Sequence, residues 1–157
     1  MSGIIGGAGS KSGVLGLQDI DTNRPAFSAR GYSITTADNY VDYGNGVSDV
    51  VDFNVGNHYT PSTGTFLCPI SGLYKFSVAD IAYATDGVYR FYYRVDNTNI
   101  GPQMRLDTGA TGSDYEMGEL GIIWKLTAGE TMRIYFTGTS IGANDPSYKI
   151  FSGYLIG

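Results

Sequence analysis

The stretch GTFLCPISGLYKFSV, residues 64–78, decides how the chain is read. Thr65, Phe66, Leu67 and Cys68 make a short β-prone run, and Pro69, which cannot donate to a ladder, ends it. Ser71-Gly72 has the composition of a tight turn, glycine being free to take positive φ. Tyr74, Phe76 and Val78 then alternate with Lys75 and Ser77, the period of a half-buried strand. The expectation is a strand, a turn and a second strand paired as a hairpin, the second strand running on toward Tyr83.

The same grammar continues on both sides. Upstream, PAFSARGY (25–32) is a strand with Phe27 and Ala29 on one face, and Val51 to Val55 is another. Between them, TTADNYVDYGNGVSDV (35–50) holds Asn45-Gly46 and three aspartates, which predicts a long surface loop with room for one short strand. Residues 57–64, with Pro61, form a loop. Downstream, Tyr89, Phe91, Tyr93 and Val95 alternate with Arg90, Tyr92 and Arg94. DNTNIG (96–101) is a turn, and Met104 to Leu106 is a brief strand. Ile122, Trp124 and Leu126 share one face, as do Met132, Ile134 and Phe136, and a last strand occupies Tyr148 to Ile156. Short strands at regular spacing between turn signals predict a sandwich or barrel, and no sustained 3.6-residue period predicts a helix.

Composition agrees. The chain has 157 residues, the size of one domain with a real core, and carries 23 glycines and 13 tyrosines. Of its 15 acidic residues most are Asp, which favours turns, rather than Glu, which favours helices. The net charge is −5, and the 10 basic residues are spread thinly along the chain, none falling between Arg30 and Lys75. Nucleic acid is therefore not an expected partner. One cysteine, Cys68, precludes an intrachain disulfide and reads as a buried small hydrophobe. No run of about 18 apolar residues predicts membrane insertion. Residues 1–17 lack the basic and continuous apolar regions of a signal peptide, so synthesis in a host cytoplasm is expected.

No catalytic grouping stands out. His58 is the only histidine and sits in a loop, so no base is marked to orient a nucleophile. One Cys and one His make no zinc pattern. Calcium is the one metal the loops offer oxygens to, at DNTN (96–99) and in the Ala-Asn-Asp run (143–145). Ordinary turn chemistry uses the same residues, and no EF-hand spacing is present. The expectation is a non-enzymatic protein without a cofactor. Tyr32, Tyr40, Tyr43, Tyr59 and Tyr92 fall in loops or on the less buried strand face, where tyrosine suits recognition of sugars or proteins; packing within an assembly is the alternative use.

Four residue clusters, in order, resemble the signature of the complement C1q-type globular head, a relative of the tumour-necrosis-factor-like jelly rolls. Asn54, Tyr59 and Thr63-Gly64 resemble its lead-in, and Phe66, Cys68-Pro69, Gly72, Tyr74 and Phe76 its core. Leu126-Thr127-Ala128-Gly129-Glu130 resembles a late hairpin, and Phe151-Ser152-Gly153-Tyr154-Leu155 the last strand. The likeness covers residues 25–157. It implies an all-β, ten-stranded antiparallel jelly-roll sandwich that forms homotrimers and binds rather than reacts. Several strands carry large apolar groups on both faces, which need two dry partners. In the resembled fold the second face packs on neighbouring protomers, so the trimer is expected to form through Leu73, Ile81, Ile123, Tyr154 and Ile156.

Residues 1–24 form a separate Gly-rich arm. Gly3, Gly6 and Gly9 keep a three-residue step that breaks at Gly13, and no proline is present, so this is not a collagen stalk. Its apolar residues Ile4, Ile5, Val14, Leu15 and Leu17 are wasted in a plain linker and are expected to dock on other proteins. The arm is similar to the N-termini of small structural proteins of tailed bacteriophages. These features together predict a structural protein at a virion surface, a head decoration, fibre or tail appendage held to other virion proteins by its arm. The alternative is an adhesin that reads a host-surface glycan or protein through trimer-tip loops bearing Tyr40 and Tyr43.

Overall fold

The computed structural model describes residues 24–32, 38–46, 50–83, 87–108, 115–138 and 146–157. Within them the strands run β1 (Ala26–Arg30), β2 (Asn39–Tyr40), β3 (Val50–Val55), β4 (Tyr59–Thr60), β5 (Thr65–Leu67), β6 (Gly72–Tyr83), β7 (Gly87–Val95), β8 (Thr98–Thr108), β9 (Tyr115–Leu126), β10 (Thr131–Thr137) and β11 (Ile150–Leu155). One sheet has five strands in the order β3-β1-β11-β6-β9. The other has six, β4-β5-β10-β7-β8 with β2 added beside β10. Every pairing is antiparallel. This is a jelly-roll-like sandwich, with eleven strands among the described residues where ten were expected; β2 is the short strand that the turn-rich loop left room for, and β4 is a two-residue strand in a stretch expected to be a loop. The arm residues Ile4, Ile5, Val14, Leu15 and Leu17 lie outside the described residues.

Residues 64–78 do form two strands, but not a hairpin. β5 pairs with β4 and β10, whereas β6 pairs with β11 and β9, so Pro69 to Ser71 carries the chain from one sheet to the other. Gly72 is not a turn residue either. It is the first residue of β6, opposite Leu126, and a Cβ there would crowd Leu155 Cδ1 at 2.7 Å. The turn at 127–130 is likewise a crossover, from β9 in the five-stranded sheet to β10 in the six-stranded one. The two crossovers are stitched together: Cys68 N–H donates to the Glu130 carbonyl, Gly129 N–H to the Cys68 carbonyl, and Ala128 N–H to Ser71 Oγ. A turn signature gives a change of direction and not the sheet that receives the next strand.

Among the described residues, one tight hairpin at this end joins β7 to β8. Asp96 and Asn97 take φ of 44° and 72°, and Val95 pairs with Thr98 across them. That is the two-residue turn whose twist suits flanking strands. β8 then runs eleven residues, far longer than the brief strand expected, with a bulge opposite Tyr92/Tyr93 where Gly101-Pro102 falls.

Both sheets turn aromatic rings inward. Phe27, Phe76 and Phe151 come from the five-stranded sheet, and Tyr59, Phe66, Phe91, Tyr93 and Phe136 from the six-stranded one; all are buried. Phe27 sits at the centre, stacked on Tyr59 with ring centroids 4.4 Å apart and edge-on to Phe151 at 4.9 Å. Gly153 makes room for this: a Cβ there would collide with the Phe76 ring.

Candidate functional site: an apolar outer face and a buried carboxylate

The outer face of the five-stranded sheet follows from strand parity and register. One cross-strand row reads Val55, Ala26, Tyr154, Lys75, Ile123, and the next reads Phe53, Ser28, Ser152, Ser77, Gly121. Around them stand Leu73, Met117 and Ile156. Ile123 is 62% exposed, Tyr154 48% and Leu73 45%, with Phe53, Met117 and Ile156 also bare. Large apolar side chains this exposed and this close together mark a surface that is covered in use. Four of the five expected contact residues lie here bare. Ile81 is the exception: it faces the same side, opposite Met117, but is only 8% exposed, so it is already covered within one chain.

The expected ligand-facing tyrosines need correction. Tyr43 is fully buried, as are Tyr32 and Tyr59; of the five singled out, only Tyr40 and Tyr92 are part-exposed. The reason is a carboxylate inside the sandwich. Asp80 continues the inward parity of Tyr74, Phe76 and Val78 on β6 and is fully buried. Tyr43 Oη donates to its Oδ2 at 2.7 Å, Tyr32 Oη to its Oδ1 at 2.9 Å, and Ile81 N–H to its Oδ1 at 2.8 Å. Lys149, also buried, holds its Nζ 4.1 Å from the centre of the Tyr32 ring. Tyr59 Oη donates onward to the Tyr43 carbonyl. The turn-rich loop is thereby pinned to the core by hydroxyls, with Val41 packed beside them.

Burial lifts the Asp80 carboxyl to about 7, against the pull of the Tyr43 hydrogen bond, the Lys149 charge and the Tyr32 hydrogen bond. The folded chain then holds this proton more tightly than the unfolded chain. Its contribution to stability is full below about pH 4 and is lost as pH rises through about 7, by a total on the order of 4 kcal/mol. Calorimetric melting temperatures should therefore carry a falling component between about pH 4 and 7, and Asp80→Asn should remove it. An identical profile in that variant would remove Asp80 from the explanation.

The remaining polar groups have structural work. Asp96 Oδ1 accepts from Thr131 N–H and Oγ1, and Asn97 Oδ1 accepts from Tyr40 Oη, so this loop's side chains brace its neighbours. Residues 143–145 lie outside the described residues. Among the described residues no group of His, Cys, Asp and Glu is placed to hold a metal. Cys68 is buried against Ile70 and burial pushes its thiol up, which is the reverse of activation.

The comparisons with known proteins bear on this architecture directly. The family model of the C1q domain matches residues 26–156. The chain belongs to the C1q-domain family. A mouse relative, complement C1q tumor necrosis factor-related protein 7, is 28% identical over 110 residues, which are 66% of this chain and 35% of that protein. The chain thus spans about a third of that relative's length. Among solved structures, murine APRIL superposes with a TM-score of 0.66 at 6% identity, over 85% of this chain and 100% of APRIL. The globular domain of zebrafish complement 1qA superposes with a TM-score of 0.60 at 20% identity, over 86% and 98%. At those identities the two structures speak for the fold of this C1q domain and for nothing narrower. Domains of the C1q and tumour-necrosis-factor type commonly form homotrimers.

Proposed function

We propose that this C1q domain is a non-enzymatic structural subunit that works as a homotrimer closed through the outer face of its five-stranded sheet, and that it serves a phage particle as a surface decoration, fibre or tail appendage. The observation that carries the trimer is the bare apolar face built from Leu73, Met117, Ile123, Tyr154 and Ile156. The particle is argued from sequence alone: a Gly-rich arm with Ile4, Ile5, Val14, Leu15 and Leu17 to anchor it, where a collagen stalk would stand in a complement protein.

Deleting residues 1–20 tests the two halves separately. The shortened chain is expected to sediment as a trimer and to be missing from purified particles assembled in its presence. A shortened chain that joins particles as well as the full one contradicts the arm's role. A shortened chain that is monomeric moves the trimer contact from the sheet to the arm.

A further inference from the structure

The outer face of the six-stranded sheet is as unlike its counterpart as the fold allows. Parity and register again set its rows. Arg133, Arg94 and Asn99 stand side by side on β10, β7 and β8. Next come Tyr40, Tyr135, Tyr92 and Gln103 on β2, β10, β7 and β8. Then come Thr137, Arg90 and Arg105. Two arginine pairs thus flank a row of tyrosines. Arg90 and Arg94 are four residues apart on one strand, about 13 Å at the usual rise.

Like charges directly across a ladder are unfavourable, yet two such pairs, Arg94 with Arg133 and Arg90 with Arg105, share one face of a chain whose net charge is −5. Of these four arginines, only Arg105 has a carboxylate partner among the described residues, Asp107 at 2.8 Å, and both of those side chains are more than half exposed. Arg94 and Arg133 are held by rings instead. Arg94 Cζ lies 3.4 Å from the Tyr135 centroid and Arg133 Cζ 3.4 Å from the Tyr40 centroid. Arg94 Nε donates to Asn99 Oδ1 at 2.6 Å and Arg133 Nη2 to the Thr63 carbonyl at 2.7 Å. Stacking and these bonds fix the guanidinium planes without neutralising them. Such a face is prepared for an anion.

We infer that this face binds an acidic glycan, with sulfate or carboxylate groups on the two arginine pairs and a sugar ring between them on Tyr92, the Tyr40 and Tyr135 rings being covered by Arg133 and Arg94. Sugar hydroxyls are served by Asn99, Gln103 and the tyrosine hydroxyls, and sugar C–H faces by Tyr92. Nucleic acid fits less well, because its phosphates recur far more closely than the arginine pairs do. An extended acidic peptide adds to a sheet edge, here the end strand β8, which lies two strands from Arg133 on β10, so it would not span both arginine pairs. The face forms within one chain, so the inference stands apart from the trimer reading.

The full chain is titrated by calorimetry with a chondroitin sulfate hexasaccharide, a polygalacturonate hexasaccharide and neutral cellohexaose. Binding of at least one acidic sugar, weakened by added salt, and none of cellohexaose are expected. Arg90→Gln with Arg94→Gln should weaken that binding roughly 100-fold, whereas Arg24→Gln, an exposed arginine elsewhere, leaves it unchanged. Gln keeps the length of the apolar stem, and an unaltered near-ultraviolet dichroism spectrum shows that the double variant is folded. Should that variant misfold, Arg105→Gln, whose side chain is exposed, makes the same test with a smaller loss. No binding by either acidic sugar, equal binding by the folded variant, or tighter binding of poly-glutamate or duplex DNA would overturn the assignment.

Discussion

Phe27→Ala is expected to cost about 3–5 kcal/mol, enough to unfold much of the chain at modest denaturant concentration. Phe27 is buried and its ring meets four others: Tyr59 and Phe66 of the six-stranded sheet, Phe76 and Phe151 of its own. Truncation removes the transfer free energy of a benzyl group and also leaves a cavity between two sheets that the surrounding buried rings hold apart. Neither sheet can collapse into the gap without displacing those rings, which places the loss at the upper part of the range. Urea unfolding measures it as a lowered midpoint at constant slope. A loss below about 1 kcal/mol would mean that the aromatic cluster repacks, and that the sandwich is softer than its stacking indicates.

Ile123→Asp should leave the fold intact and abolish the trimer. Ile123 is outward on β9, opposite Lys75, and contributes nothing to the core of its own chain. In a monomer the aspartate would be solvated and nearly neutral in stability. In a closed interface it would be dehydrated together with Lys75, its cross-strand neighbour, and that pairing does not repay the desolvation of both charges, at a net cost of about 2 kcal/mol or more in each copy, which threefold symmetry repeats. Light scattering at micromolar concentration should give a single chain of 16.8 kDa for the variant with an unchanged far-ultraviolet spectrum. A variant that stays trimeric would show that the apolar face meets something other than its own copies.

Much of this architecture was legible from period-two alternation. Phe27 and Ala29, the Tyr89–Val95 series, and Met132, Ile134 and Phe136 all point where alternation says, because a half-buried strand exposes its inward residues as a pattern. The bare face of Leu73, Ile123, Tyr154 and Ile156 was visible as a failure of that pattern. What alternation cannot carry is pairing. Pro69 to Ser71 and Thr127 to Glu130 look like hairpin turns and are crossovers, since the composition of a turn is the same whichever sheet the next strand joins.

The misread tyrosines have a related cause. Tyr43 lies in a loop of Asp, Asn and Gly, and only its partner, Asp80, 37 residues away, makes burial favourable. The signal existed in the other member of the pair: Asp80 falls on the inward parity of β6, where a carboxylate needs donors, and tyrosines are the donors nearest in the fold. The arginine face was half visible. Arg90, Tyr92 and Arg94 were outward by alternation, but that Arg133 and Arg105 stand directly beside them is a property of register, which single strands do not state.

Sedimentation equilibrium of the unaltered full chain over a range of micromolar concentrations puts the account to its most direct test. The covered apolar face requires one species at three times 16.8 kDa. A stable single chain of 16.8 kDa, with Ile123 and Tyr154 left in water, would contradict it.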